Sequence, residues 1–524
     1  MERSAEPACA STEDYSGKKW FFFCLAGFLL LMLVFFKNAW VCDDAYINFR
    51  SIEQLFSGNG PNWNPHERVQ AYTSPLWYWL LALARVVSPD PFFNAIILSF
   101  VVTLLLCFFI YRQLTLPAAG LTFFILAASN AFVDFSTSGL ENILCALLVV
   151  AGTIFTARAI ENKDSDSSAP LAMIILALMP LCRHDLILFM LPLAVLLIFN
   201  RYKGNLQRLS AIMTVFLPLL IWSFFSLIYY GAIFPNTAYA KIVTGIPRLE
   251  MISQGFKYFL VSFQQDPITL LIIFSAIFAG IRIGSAWAKT VTVALVLDLV
   301  YVVWIGGDFM RGRFFTSAFV MATVFLMGNT KLWQSFFCAR KVCKGAVLIY
   351  IVYLVLFPFT PLNTGLSYSN FNLEQGIADE RGYYFDVCSL YAYLYSKPGE
   401  VFPDFEWSHI GRQIAQSKVN YLENDFNGML GYWAGTDKII IDRLALADPF
   451  LARIPVASTT EWRIGHFRRE VPEDYRKSIE AGQNNFPPGQ MRNLYDLVSL
   501  AARGNELFTY KRFVAILRLN LGVY

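Results

Sequence analysis

Long apolar runs recur along this chain from residue 20 to residue 359, and they decide what it can fold into. A run of about 17 residues or more crosses the hydrocarbon core of a bilayer as a helix, because in lipid every backbone N–H and C=O has to be satisfied within its own segment. Runs at or near that length lie at 20–40, 92–111, 117–133, 142–160, 209–230, 267–283, 288–305, 314–329 and 345–359. Two shorter ones, 170–182 and 186–200, predict tilted or partly buried helices. The run 75–87, interrupted by Arg85, is too short and too charged to cross and is read as an interfacial helix. The sum is a polytopic α-helical membrane protein of about eleven transmembrane helices. With 56% hydrophobic and only 15% charged residues, the composition excludes a soluble globular enzyme.

Charge sets the orientation. With 75–87 on the outer face, Lys18-Lys19, Arg112, Arg158 with Lys163, the RYKGNLQR loop, Arg282 with Lys289, and KLWQSFFCARKVCK all face the cytoplasm, as the positive-inside rule requires. Three parts follow: a cytoplasmic leader at 1–19, a transmembrane module at 20–362 with a first outer loop at 41–91, and an extracytoplasmic domain at 363–524. The last is charged and turn-rich, with a strand-like KIIID tract and a helix-like NLYDLVSLAARGNELF tract, which predicts a mixed α/β soluble domain. The first apolar run is too long for a signal-peptide core and has no small-residue exit, so it reads as a retained helix. A net charge of +4 without a basic stripe gives no support to a nucleic-acid partner. Nine cysteines, with no CxxC, imply neither a disulfide framework nor a thiolate metal site.

On this threading the unusual polar motifs emerge on one face: the first loop, FVDFSTSGLEN, CRHD, GAIFPNTAYAK and WIGGDFMRGRFF. Asp43-Asp44 opens an amphipathic helical stretch just past the first span. Adjacent helical residues point about 100° apart, so the two acids suit different tasks, one accepting a proton and the other orienting, although both also suit a helix N-terminus. Arg50, His66, Arg68, Arg183, His184, Lys241, Arg311 and Arg313 lie on the same face. Arginine forks bind phosphate oxygens, and next to a membrane this suits the phosphate of a lipid carrier. Arg311 and Arg313 follow Gly306-Gly307-Asp308, where Asp308 can orient a guanidinium or a sugar hydroxyl. Tyr72 can stack on a sugar or belong to the interfacial aromatic belt; Glu141 and Asn236 complete the candidate pocket. Asp298, inside a span, is an intramembrane acid better suited to a structural hydrogen bond.

The order of these motifs resembles the GT-C superfamily of polyprenyl-phosphate-sugar-dependent glycosyltransferases: an acidic pair after the first span, a WNPHERVQAYTSPLW loop, a TSGLEN turn, an RHD turn and GGDFMRGRF. Within it, GMLGYWAGTDKIIIDRLALADPFLARIP followed by WRIGHFRREVPEDY is similar to the terminal arabinofuranosyltransferases of the mycobacterial cell wall and their Gram-negative relatives. The resemblance implies a bacterial inner-membrane enzyme that moves a sugar, arabinofuranose or a related one, from a polyprenyl phosphate to a cell-envelope glycan, lipid or protein on the periplasmic side. It implies Asp43 as catalytic carboxylate with Asp44 assisting, and donor phosphate or sugar binding by Arg311, Arg313, Asp308, Lys241, Arg183 and His184. His66, Arg68, Tyr72, Glu141 and Asn236 are expected at the acceptor side. The family's Arg-Pro-acid turn stands here as Arg183-His184-Asp185, without the proline, and Asp448 and His466 match family positions of unassigned role. No cofactor is required beyond the lipid-linked donor; a divalent metal on Asp43 and Asp44 is left open. The competing reading is a lipid-linked sugar flippase, which predicts internal repeats and broken helices; the sequence shows neither duplicated halves nor a matching pair of Gly/Pro breaks.

Overall fold

A computed structural model of the protein describes residues 17–161, 168–329, 340–364, 373–397 and 399–524. The leader up to residue 16, Lys163, positions 331–339 of the KLWQSFFCARKVCK segment and the 365–372 stretch that opens the C-terminal region lie outside them. Helices occupy every apolar run read from the sequence. Six of the described helices are long and apolar enough to cross a bilayer: Gly17–Lys37, Pro91–Gln113, Asn142–Glu161, His184–Arg201, Asn205–Tyr229 and Ala286–Ile305. Two bent pairs raise this to eight, short of the eleven expected. The three expected spans outside this count are shorter helices, Ser168–Cys182, Arg313–Gly328 and the 17-residue Arg340–Leu356, and the two bent pairs have local causes. The run expected at 117–133 bends by 80° between Leu116–Ala127 and Asn130–Thr137, where Ser129 caps the second helix by accepting from the Phe132 amide at 3.1 Å. Arg248–Gln265 and Pro267–Ile283 meet at 112°, because Pro267 opens a new helix instead of continuing the old one. The two breaks close on each other. One Asp266 oxygen accepts from the Ala131 amide at 2.9 Å and from Thr269 at 2.7 Å, so the polar backbone freed at the bends is tied within the protein.

Packing in the bundle uses small residues where helices touch most closely. Gly17–Lys37 lies along Leu116–Ala127, and a Cβ on Gly27 would come within 2.7 Å of the Gly120 carbonyl. The Pro75–Val87 helix, capped by Ser74 with Pro75 in its first turn, is 13 residues long and exposes Leu83, Val86 and Val87. Arg85 grips Glu53 through two hydrogen bonds of 2.6 and 3.2 Å, which holds this short helix against Asp43–Phe56.

The C-terminal region carries helices and two small sheets: an antiparallel pair Leu373–Glu374 with Ile377–Ala378, and a parallel pair Tyr421–Asn424 with Ile439–Asp442. It shares its core with the first loop. Trp63 and Ala71 pack with Ala434, Ile440 and Ala447, while Asn64 both accepts from the Ile440 amide (2.9 Å) and donates to its carbonyl (3.0 Å), extending the parallel sheet with a side chain. Arg50 is the staple. Wholly buried, it stacks over Trp63 and donates to the carbonyls of Trp63 (3.0 Å), Lys438 (2.8 Å), Gly435 (2.5 Å) and Gly431. Arg50→Ala strands these carbonyls, so the expected loss is about 3 kcal/mol or more, read as a lower thermal midpoint and faster proteolysis after residue 400. A midpoint within a degree or so of the parent would contradict the staple.

A second anchor is ionic. Arg381 donates to Asp134 at 2.7 Å, and Arg311 sits 3.5 Å from Asp134 and 3.2 Å from Asp379. This buried cluster ties the Asn130–Thr137 half-helix and the GGDFMRGRF segment to the C-terminal region.

Candidate active site

Asp43 and Asp44 are the first residues of the Asp43–Phe56 helix, which starts directly after Cys42. Asp43 accepts, through Oδ1, a 2.7 Å hydrogen bond from the Met429 amide of the C-terminal region, not from its own helix. Gly428 makes this approach possible: a Cβ there would overlap both the backbone carbonyl and the carboxylate of Asp43. Gly428→Ala is therefore expected to push Asp43 off its position and lower turnover by at least tenfold in a transfer assay, with a lower thermal midpoint as well because the clash reaches the Asp43 backbone.

Asp44 turns to the other side, as neighbours on a helix do. Its carboxylate is 31% exposed into a cavity and lies 3.8 Å from Arg313. Arg313 also stands 3.4 Å from Asp308 and 3.8 Å from Glu141. All three separations exceed the 2.7–2.9 Å of a charge-assisted hydrogen bond, so the guanidinium is shared among carboxylates and not clamped by one. Glu141 in turn is 3.4 Å from Arg183, which is gripped by Asp185 at 2.6 and 3.0 Å.

The cavity, of about 360 Å³, is bounded by the first loop, the helix ends of the bundle and the C-terminal region. Asp43, Asp44, Tyr72, Glu141, Lys241 and Arg313 all line it. Lys241, from the short Asn236–Ile242 helix, lines the cavity with no ion-pair partner among the described residues, and burial pulls its amine below the usual lysine range against the opposing effect of Asp308. Tyr72 contributes its ring, since its hydroxyl is paired with that of Tyr230 at 2.7 Å.

Other candidates lie apart. Asp308 stands behind Arg313 and accepts from the Phe309 amide, and Arg183 stands behind Glu141. Arg311, read from sequence as a donor-phosphate ligand, is turned away from the cavity into the Asp134–Asp379 cluster and also donates to Gln265. His184 rests edge-on against Phe234, outside the lining. Asn236 is a strut, donating to the carbonyls of Ala445 and Asp448 at 2.9 and 3.0 Å. Arg68 donates to the Gly504 carbonyl, and His66 lines a different cavity. Asp298 is buried in the Ala286–Ile305 helix with one oxygen lacking a hydrogen-bond partner among the described residues.

Sequence reasoning passed over Glu380 and Arg463, which enter the cavity from the C-terminal region 3.5 Å apart. No motif marks Glu380, and Arg463, the second residue of WRIGHFRREVPEDY, was not singled out from that string. His466, flagged only as a matched position, lines the same wall and stands against Phe309 at 4.4 Å between rings. Asp448 instead caps a turn, accepting from the Phe450 and Leu451 amides and from Tyr475.

Burial dominates the electrostatics. It lifts the Asp43 carboxyl to about 7, against the opposing pull of the Met429 hydrogen bond and with further lift from Asp44. Asp44 is raised too, mainly by burial, with Arg313 resisting. Glu380 rises to about 8 through burial, offset in part by Arg463, so it is neutral at pH 7. His466 falls to about 4, by burial and then by Arg463, and is an uncharged imidazole. Among the described residues no group of three or more His, Cys, Asp or Glu is placed to hold a metal ion, and Asp44 faces the Arg313 guanidinium.

Residues 72–228 match the family described as dolichyl-phosphate-mannose-protein mannosyltransferase. The terminal β-(1→2)-arabinofuranosyltransferase of Corynebacterium glutamicum is 28% identical over 325 residues, covering 52% of this chain and 46% of that protein. Its namesake from Mycobacterium tuberculosis is 25% identical over 244 residues, covering 42% and 37%. The match thus spans less than half the length of either curated relative. Among solved structures, the Archaeoglobus fulgidus oligosaccharyltransferase overlays with a TM-score of 0.49 at 11% identity, over 82% of this chain and 62% of that one. ArnT from Cupriavidus metallidurans overlays at 0.42 and 13% identity, over 84% and 77%. The resemblance to GT-C glycosyltransferases, and to terminal arabinofuranosyltransferases in particular, rests on the family and the two curated relatives.

Proposed function

We propose that the protein is a multi-pass membrane glycosyltransferase that moves a sugar, arabinofuranose by its resemblance, from a polyprenyl phosphate to a hydroxyl of a cell-envelope glycan, lipid or protein on the outer face of a bacterial inner membrane. The observation that carries this reading is the cavity itself. At one end of an apolar bundle it sets a carboxyl titrating near neutrality, Asp43, among three cations from three separate segments, Lys241, Arg313 and Arg463.

A glycosyl phosphate is already activated, so the protein has to position the acceptor, take its proton and stabilise the departing phosphate. The ionised Asp43 receives the hydroxyl proton as the acceptor oxygen bonds to the anomeric carbon and the bond from that carbon to the phosphate oxygen breaks. The Met429 hydrogen bond fixes one Asp43 oxygen and leaves the other for the substrate. Lys241 and Arg313 take up the phosphate charge; Asp44 holds Arg313 near the reacting centre and keeps Asp43 basic. Neutral Glu380 is an O–H donor to a sugar or phosphate oxygen.

Two measurements test this. Proteoliposomes given polyprenyl-phosphoryl arabinofuranose and an arabinan acceptor should yield a new glycosidic bond; passage of the lipid-linked sugar across the bilayer with no bond formed would replace the reading with a flippase. The pH profile has a definite sign. Asp43 is protonated and idle below its folded value, so kcat/KM should climb with pH through a midpoint near 7. A flat profile from about pH 6 to 8 would remove Asp43 as the base.

A further inference from the structure

A second cavity, of about 770 Å³, lies between the first loop and the last helices of the chain, and none of the residues that form the catalytic cavity line it. Three local features that proteins seldom adopt meet there. His66 has φ of 60°, in the left-handed region that residues other than glycine enter uncommonly. Residues Ser499–Arg503 form a turn of π-helix, an arrangement often found at functional sites. The Ser499 hydroxyl in that turn is buried and has no hydrogen-bond partner among the described residues. His66, Ser499 and Arg503 all line the cavity.

The chemistry of the walls selects a ligand. Among the described residues that line it, the only arginine, Arg503, is held by Glu67 at 2.8 Å, there is no lysine, and Asp496 adds a negative charge. Such a wall offers phosphate no unpaired cation, whereas the cavity beside Asp43 holds Lys241, which has no ion-pair partner among the described residues. Ile439, Ile479 and Leu500 offer apolar faces, and the Gln483 side-chain amide lines the same cavity, while Asn484 is held by Asp496, the Arg492 carbonyl and the Phe486 amide. Apolar faces beside a polar side chain suit sugar rings, which present C–H faces and peripheral hydroxyls. The position is suggestive too. Glu67 lines this cavity and Ala71 the catalytic one, so four residues of chain, at most about 14 Å, separate the two walls.

We infer that this second cavity binds the non-reacting stretch of a neutral oligosaccharide acceptor, holding it so that its terminal hydroxyl reaches the catalytic cavity. The inference rests on the transferase reading for its purpose but not for the binding itself. The full-length protein in detergent is titrated with linear arabinofuranose and mannose hexasaccharides, and with inorganic phosphate. Saturable binding of at least one hexasaccharide is expected, with no competition by phosphate. Leu500 is 39% exposed, so Leu500→Trp fills the cavity without disturbing a core position. That variant, and Gln483→Ala, should weaken hexasaccharide binding by about tenfold or more at an unchanged thermal midpoint, whereas Asp43→Asn should bind as the parent does. In transfer assays Leu500→Trp should raise KM for the hexasaccharide and leave kcat and the KM for a monosaccharide glycoside acceptor unaltered. Hexasaccharide binding indifferent to both cavity variants, absence of binding, or displacement by phosphate would overturn the site. Binding that follows the cavity variants in a protein that transfers no sugar would retain the site and remove the transferase reading.

Discussion

Asp43→Asn should lower kcat by about a hundredfold to ten-thousandfold, the usual contribution of a general base, with the protein folded and KM for the lipid donor nearly unchanged. The substitution is suited to the question because the asparagine oxygen can still accept the Met429 hydrogen bond that holds the side chain in place. What it loses is the capacity to take a proton. Asp44→Asn should behave differently. Asp44 touches Arg313 and raises Asp43, so its loss frees the guanidinium and lowers the Asp43 value, moving the ascending pH limb to lower pH. Full turnover in both variants would remove both acids from the chemistry, whatever the fold.

The second large effect separates two arginines that lie two residues apart. Arg313→Lys keeps a positive charge but loses the planar fork, and kcat/KM for the donor should fall by about ten- to a hundredfold at near-native stability. Arg311→Met should do the reverse. It leaves Asp134 and Asp379 without their shared cation, a deficit of about 3–5 kcal/mol, so the thermal midpoint should fall by many degrees while the folded fraction keeps its turnover. Gly312 explains the divergence: at φ of 76° it turns the chain so that Arg311 enters the buried cluster and Arg313 the cavity. If Arg311→Met lost turnover without losing stability, the division of labour would be reversed.

That pair also marks where sequence reading runs out. Helix positions were legible because the bilayer imposes a length and an apolar run, and the meeting of the loop motifs at one end followed from where those runs begin and end. The bends at Ser129 and Asp266 were not, since a capping serine or a proline after an aspartate looks like ordinary loop chemistry until a second break meets it. Asp43 and Asp44 stood out because two adjacent acids at a membrane boundary are unusual. Glu380 did not, because a charged residue in a charged, turn-rich region carries no signal until folding brings it to the same cavity as Asp43, and Arg463 was hidden among the other cations of its own motif. Asn236 and Arg50 look like site residues in sequence but serve as donors to buried carbonyls, a role that only tertiary structure creates.

The most direct measurement of the central claim is a density map of the protein with a non-transferable polyprenyl-phosphoryl sugar bound. The phosphate is expected within hydrogen-bond distance of Lys241 and Arg313, with the anomeric carbon facing Asp43 and Asp44. A phosphate seated elsewhere, with the sugar out of reach of both acids, would contradict it.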